Sequence, residues 1–158
     1  MKEWCSNNKV SIFFDCIPEI KIREFHYNSE LSKTENEKLR KNIEKYPFEL
    51  MNEILVTIED LKTYKEYTFS IPKNYCYDGA SIPKIFIRLI GSNTDNRFLI
   101  ASLVHDVLCE NHCYVDFDRK LSTEVFNILL ESSGVCAFKR WLMKNSVDIF
   151  QKTCRWKK

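Results

Sequence analysis

The sequence is poor in glycine and proline, with three Gly and four Pro in 158 residues. Few positions can therefore take the left-handed backbone of elaborate loops. No Gly-rich phosphate loop and no dinucleotide fingerprint is present. No Cys-x-x-Cys pair occurs, which excludes a zinc finger. No apolar run approaches the roughly 20 residues that cross a bilayer. Met1 to Asn8 is polar and lacks the apolar region of a signal peptide. These absences predict a cytoplasmic protein with no membrane contact. An excess of charge of one sign is also missing, because the formal net charge is only +2. The imbalance is local. From Cys136 onward Lys139, Arg140, Lys144, Lys152, Arg155, Lys157 and Lys158 face Asp148 alone. Such a basic end suits nucleic acid or an acidic protein. A solvated helix face complementing its own dipole is the plainer reading, and nucleic acid is not expected as a partner.

What is present describes one soluble domain. The apolar fraction is 44% and the charged fraction 29%, and the aromatics number eleven Phe, seven Tyr and three Trp. A chain of this length can bury a real core. The seven Cys are odd in number and several sit in apolar contexts. Reduced thiols are expected.

Alternation predicts strands at Val10–Asp15, Ile20–Tyr27, Ile54–Ile58 and Tyr67–Ile71, the last two joined into a hairpin by a turn at Asp60–Thr63. Thr34 with Glu37 forms a capping-box pattern for a helix that ends near Tyr46, before Pro47. Ile85–Ile90 is a short apolar stretch. Phe98–Cys109 is almost wholly apolar and predicts a helix buried on every face. Cys113–Asp116 reads as a connection. Leu121, Val125, Ile128 and Leu129 mark a further helix ended by Gly134, and Phe138, Trp141, Leu142 and Ile149 mark the last. Strands come first and helices second. The predicted fold is α+β, an N-terminal antiparallel hairpin followed by a C-terminal bundle of about three to four helices around a buried central one. No linker divides residues 1–158.

Chemistry concentrates at two places. Asp78 closes a strand-like run in Tyr77-Asp78-Gly79-Ala80-Ser81-Ile82-Pro83. His105 and Asp106 lie inside the buried helix, where unpartnered ionisable groups are costly. Asp78, His105 and Asp106 are ligand types for a divalent metal that could activate water. The same three can instead form a structural network, with the Asp78 carboxylate closing the turn and accepting from His105. Ser81 with His105 and an Asp has the composition of a nucleophilic triad, but no nucleophile elbow surrounds it. Ser81 reads better as the cap of the following helix. His105, Cys109, His112 and Cys113 have partly helical spacing for a soft metal, although His112 and Cys113 are expected past the helix end. Cys109 meets His105 at i and i+4, the arrangement of an activated thiol.

These two segments, with Ile71-Pro72-Lys73-Asn74-Tyr75 before them, resemble the DUF1353 family of small bacterial and bacteriophage proteins with no settled function. The resemblance covers about residues 64–156, and residues 1–60 read as an N-terminal elaboration. A third family motif fits Arg119 and Phe126 but places Thr123 where an acid is usual, which leaves Glu124, Asp116 or Asp118 as substitutes. Asn74 stands where Gly is common. The resemblance implies a fold and a site location, and a phage or prophage accessory protein in the host cytoplasm. His105, Asp106 and Asp78 are the candidate catalytic or metal residues, and Ser81, Arg119 and Cys109 the candidate binding residues. Two functions follow. One is a non-enzymatic binding or assembly protein engaging a host or phage factor. The other is a divalent-metal-dependent hydrolase.

Overall fold

A computed structural model of the chain describes residues 1–79, 90–91, 95–115 and 117–152, with residues 111–115 given by their backbone alone. Antiparallel strands come first and helices follow, which is the expected α+β order. Strands β1 (Lys2–Ser6), β2 (Val10–Phe14), β5 (Ile54–Asp60) and β6 (Lys65–Ile71) form one antiparallel sheet in the order β1-β2-β5-β6. Strands β3 (Ile20–Ile22), β4 (Phe48–Leu50) and β7 (Cys76–Tyr77) form a second in the order β3-β4-β7. Helix α1 (Lys33–Lys45) lies between β3 and β4 in sequence, and helices α2 (Asn96–Val115), α3 (Arg119–Ser132) and α4 (Ala137–Phe150) complete the described chain.

The first sheet follows from period-two patterning. Val10, Ile12 and Phe14 on β2 and Ile54, Val56 and Ile58 on β5 turn to one face and are buried. On the other face Thr57 and Thr68 meet through their hydroxyls at 2.9 Å, a cross-strand pair in register. Asp60 builds the hairpin turn. Its carboxylate accepts from the Lys62 amide and the Thr63 hydroxyl, and its carbonyl accepts from the Tyr64 amide.

Several boundaries differ from expectation. The polar segment Lys2–Ser6 is a strand, because Phe14 and its neighbours offer an edge to pair with. The second predicted strand stops at Ile22 rather than Tyr27. The capping box is Ser32 with Glu35, two residues before the predicted Thr34 with Glu37. Both pairs fit the motif. Asn36 decides between them, since its buried amide donates to the carbonyls of Asn28, Leu31 and Ser32 and fixes the chain entering the helix. Helix α2 runs to Val115, so His112 and Cys113 are helical and the predicted connection at 113–116 starts too early. Their side chains lie outside the described residues, as do Ser81, the 85–89 stretch and Asp116.

Helix α2 is the centre of the molecule, as its composition predicts. Phe98, Ala101, Leu103 and Val104 have no exposed surface, and Leu108 has 1%. Helix α3 buries Leu121, Val125, Ile128 and Leu129 on one face. It ends at Gly134, whose φ of 77° is the left-handed value that favours glycine. The apolar positions that mark α4 lie mostly outward: Phe138, Trp141 and Ile149 are exposed, and Met143 is its buried residue. Spacing shows which residues share a face, and packing decides which face is covered.

Candidate functional site

The short strand β7 is laid along α2 by two tyrosines. The Tyr77 hydroxyl donates to the Leu99 carbonyl at 3.2 Å, and the Tyr75 hydroxyl donates to Glu110 Oε2 at 2.8 Å. Asn74 has a φ of 68° and turns the chain into this strand. Asp78 and Gly79 follow directly, and Gly79 is also left-handed with a φ of 78°. A cleft with a cavity volume of about 90 Å³ opens where this turn meets α2 and the end of α4. That is space for several waters or one small ligand group. Asp78, His105, Asp106 and Cys109 all line it. The sequence therefore places its two central motifs on one site. Ser81 lies outside the described residues.

On one wall of the cleft is a buried polar network. His105 is 8% exposed and Gln151 has no exposed surface. The Gln151 amide donates to His105 Nε2 at 2.8 Å and to Ser122 Oγ at 3.1 Å. With Nε2 accepting, the imidazole proton sits on Nδ1, which lies 3.7 Å from Asp106 Oδ1. Thr123 Oγ1 is 3.1 Å from Gln151 Oε1 and 3.2 Å from the Arg119 carbonyl. Cys109 Sγ lies 3.5 Å from His105 Nε2 and 3.5 Å from the Gln151 amide nitrogen. The Phe126 ring packs against the imidazole with centroids 5.2 Å apart. Thr123 is thus a member of the network, at the position where the resemblance led an acid to be expected.

The three proposed substitutes for that acid have other roles or lie out of view. Glu124 pairs with Lys144 and with Lys9, the latter at 3.4 Å, and so joins α3 to α4 and to the start of β2. Burial raises the Glu124 carboxyl, and the Lys144 and Lys9 ammonium groups together more than reverse this, leaving it below its ordinary value. Asp118 caps α3 by accepting from the Leu121 amide at 3.0 Å. Asp116 is outside the described residues. Arg119 is held by Asp148, which also accepts from Lys152 at 2.7 Å.

Oxygen acceptors from the same helix as His105 also line the cleft. Ser102, Asp106 and Glu110 recur every four residues and rise along one face of α2. Ser102 is 1% exposed, Asp106 is half-buried and Glu110 is exposed. Among the described residues Ser102 Oγ makes no hydrogen bond. Burial raises the Tyr75 phenol far above its ordinary value, with Glu110, Asp106 and Asp78 adding to the effect. Burial likewise raises Tyr77, with Asp106 contributing. The field of these carboxylates therefore reaches both rings.

Sequence reasoning located Asp78, His105, Asp106 and Cys109 but missed Ser102, Glu110, Tyr75 and Gln151. The spacing of Ser102, Asp106 and Glu110 in an apolar helix was a readable signal. Gln151 gave none, because its partners are 28 to 46 residues away in sequence. Among the described residues no group of three His, Cys, Asp or Glu side chains is placed to hold a metal ion. None of the five described cysteines is in a disulfide. No helix among the described residues is long and apolar enough to cross a membrane.

A family model described as a protein of unknown function, DUF1353, matches residues 54–147, which contain most of the cleft. No curated protein and no solved structure matches the chain.

Proposed function

From the premise that this chain belongs to the DUF1353 family, we propose that it is a non-enzymatic binding protein whose cleft between β7 and α2 takes a ligand. In this reading it is a phage or prophage accessory protein that acts in a bacterial cytoplasm and engages a host or phage factor. One observation carries the non-enzymatic part. The His105 ring is engaged by Gln151, a side chain with no exposed surface, at 2.8 Å. A general base or metal ligand needs a ring nitrogen directed at substrate or ion. Here Nε2 accepts from Gln151 with Cys109 Sγ 3.5 Å away, and Nδ1 lies 3.7 Å from Asp106 Oδ1 within the protein. Buried polar networks of this kind hold one arrangement of a core.

The test is elemental analysis of protein purified without chelator, joined to thermal scans with magnesium, manganese and zinc chlorides. The binding reading expects no stoichiometric metal and no shift that depends on Asp78. A stoichiometric ion that is lost in Asp78→Ala would overturn it in favour of the divalent-metal hydrolase using Asp78, His105 and Asp106.

A further inference from the structure

We propose that the cleft takes a primary alkylammonium group, seated on the Ser102 hydroxyl and flanked by the carboxylates of Asp78, Asp106 and Glu110. This rests on the reading of the cleft as a binding site and names its ligand class. Ser102, Asp106 and Glu110 form a ladder of oxygens spanning about 12 Å of α2, from the buried floor to the exposed rim. Ser102 Oγ at the floor is buried and makes no hydrogen bond among the described residues, although it lines the cleft. A buried hydroxyl without a partner costs stability, and a ligand donor there restores the lost bond.

The sign of the ligand follows from the other lining groups. Three carboxylates and neither Lys nor Arg line the cleft among the described residues. Each carboxylate offers about four acceptor sites, so the contacts it already makes leave capacity for a ligand donor. Apart from His105 and Ser146, the remaining walls are mostly apolar or aromatic, including Tyr46, Tyr77, Phe126 and Met143. Tyr46 already holds the Lys45 ammonium 4.9 Å from its ring centre, a cation on an aromatic face. An ammonium has three donors that diverge, which suits acceptors arriving from β7 and α2. A guanidinium is a planar fork best met by a single carboxylate. A cavity of about 90 Å³ admits a short alkyl chain.

The probe is n-butylammonium chloride, with sodium butyrate and butan-1-ol as the anionic and neutral matches, at constant ionic strength. Binding is followed by calorimetry and by thermal shift on the full chain. Saturable binding of n-butylammonium is expected, at least about tenfold tighter than butan-1-ol, as one charge-assisted hydrogen bond provides. Glu110→Gln, an exposed change, and Ser102→Ala should each weaken it several-fold while circular dichroism stays that of the parent. Titrations with 1,4-diaminobutane and with Nα-acetyl-lysine N-methylamide then separate a free amine from a lysine side chain of a partner. Equal or tighter binding of butan-1-ol or butyrate would overturn the ligand class and leave a binding cleft in place. Binding of none of the three would also overturn the ligand class. A stoichiometric metal held through Asp78 would overturn the binding reading itself.

Discussion

Replacing Ser102 by Ala should stabilise the protein, although Ser102 is a core position of the central helix. The residue is 1% exposed, and its hydroxyl makes no hydrogen bond among the described residues. Leaving a buried hydroxyl unsatisfied costs about 1–3 kcal/mol. Alanine also has the higher helix propensity, by about half a kcal/mol. The oxygen removed is small, so the void left behind offsets only part of this gain. A net stabilisation of about 2 kcal/mol raises the melting temperature of a chain this size by about 4–8 °C. Ordinary core truncations move stability the other way. The assay is thermal denaturation followed by circular dichroism, parent and variant side by side without added amine. An unchanged or lowered midpoint would refute the claim that Ser102 carries an unmet bond, and would remove the floor from the proposed site. The expected cost in function is the weaker amine binding described above, the usual exchange of stability against a site.

Two further outcomes are expected. The hydrogen bond from Lys152 and the Arg119 guanidinium hold the Asp148 carboxyl below its ordinary value, against a smaller opposing effect of burial. A carboxyl lowered on folding adds stability above its unfolded value near pH 4 and loses it as pH falls through the folded value. Asp148→Asn should therefore be less stable than the parent at neutral pH and lose less on acidification, and parallel pH profiles of the two melting temperatures would contradict this. Burial pushes the Cys5 thiol up to about 11, Ser132 partly opposing and Glu3 and Glu131 reinforcing the shift. In the folded protein at pH 8, iodoacetamide should alkylate Cys5 more slowly than the exposed Cys136, and peptide mapping that finds Cys5 first would contradict the burial.

Much of the fold was legible because its signals are local. Alternation in Val10–Phe14 and Ile54–Ile58 named strands whose inner faces are the buried ones. The nearly continuous apolarity of Phe98–Cys109 named the central helix. The polar strand Lys2–Ser6 was hidden, since its place comes from pairing with β2 rather than from its own pattern. The split into two sheets was hidden too, because strands as short as Cys76–Tyr77 carry almost no periodicity. At the cleft, the cost of burying His105 and Asp106 pointed to the helix that lines it. The identity of their partners depended on the fold. Gln151 reaches His105 only because the end of α4 returns to α2, and nothing around Phe150-Gln151 announces that.

The central claim is that His105 belongs to a structural network in the cleft wall and performs no chemistry there. A double-mutant cycle between His105 and Gln151 tests it most directly. His105→Ala, Gln151→Ala and the double variant are compared with the parent by urea denaturation. Partners in one buried network couple by about 0.5–3 kcal/mol, whereas independent sites add to within about 0.5 kcal/mol. The account predicts that each single variant is clearly destabilised and that the pair is coupled by at least about 1 kcal/mol. Additive effects, with His105→Ala as stable as the parent or more so, would contradict it and would make His105 a residue kept for reaction rather than for structure.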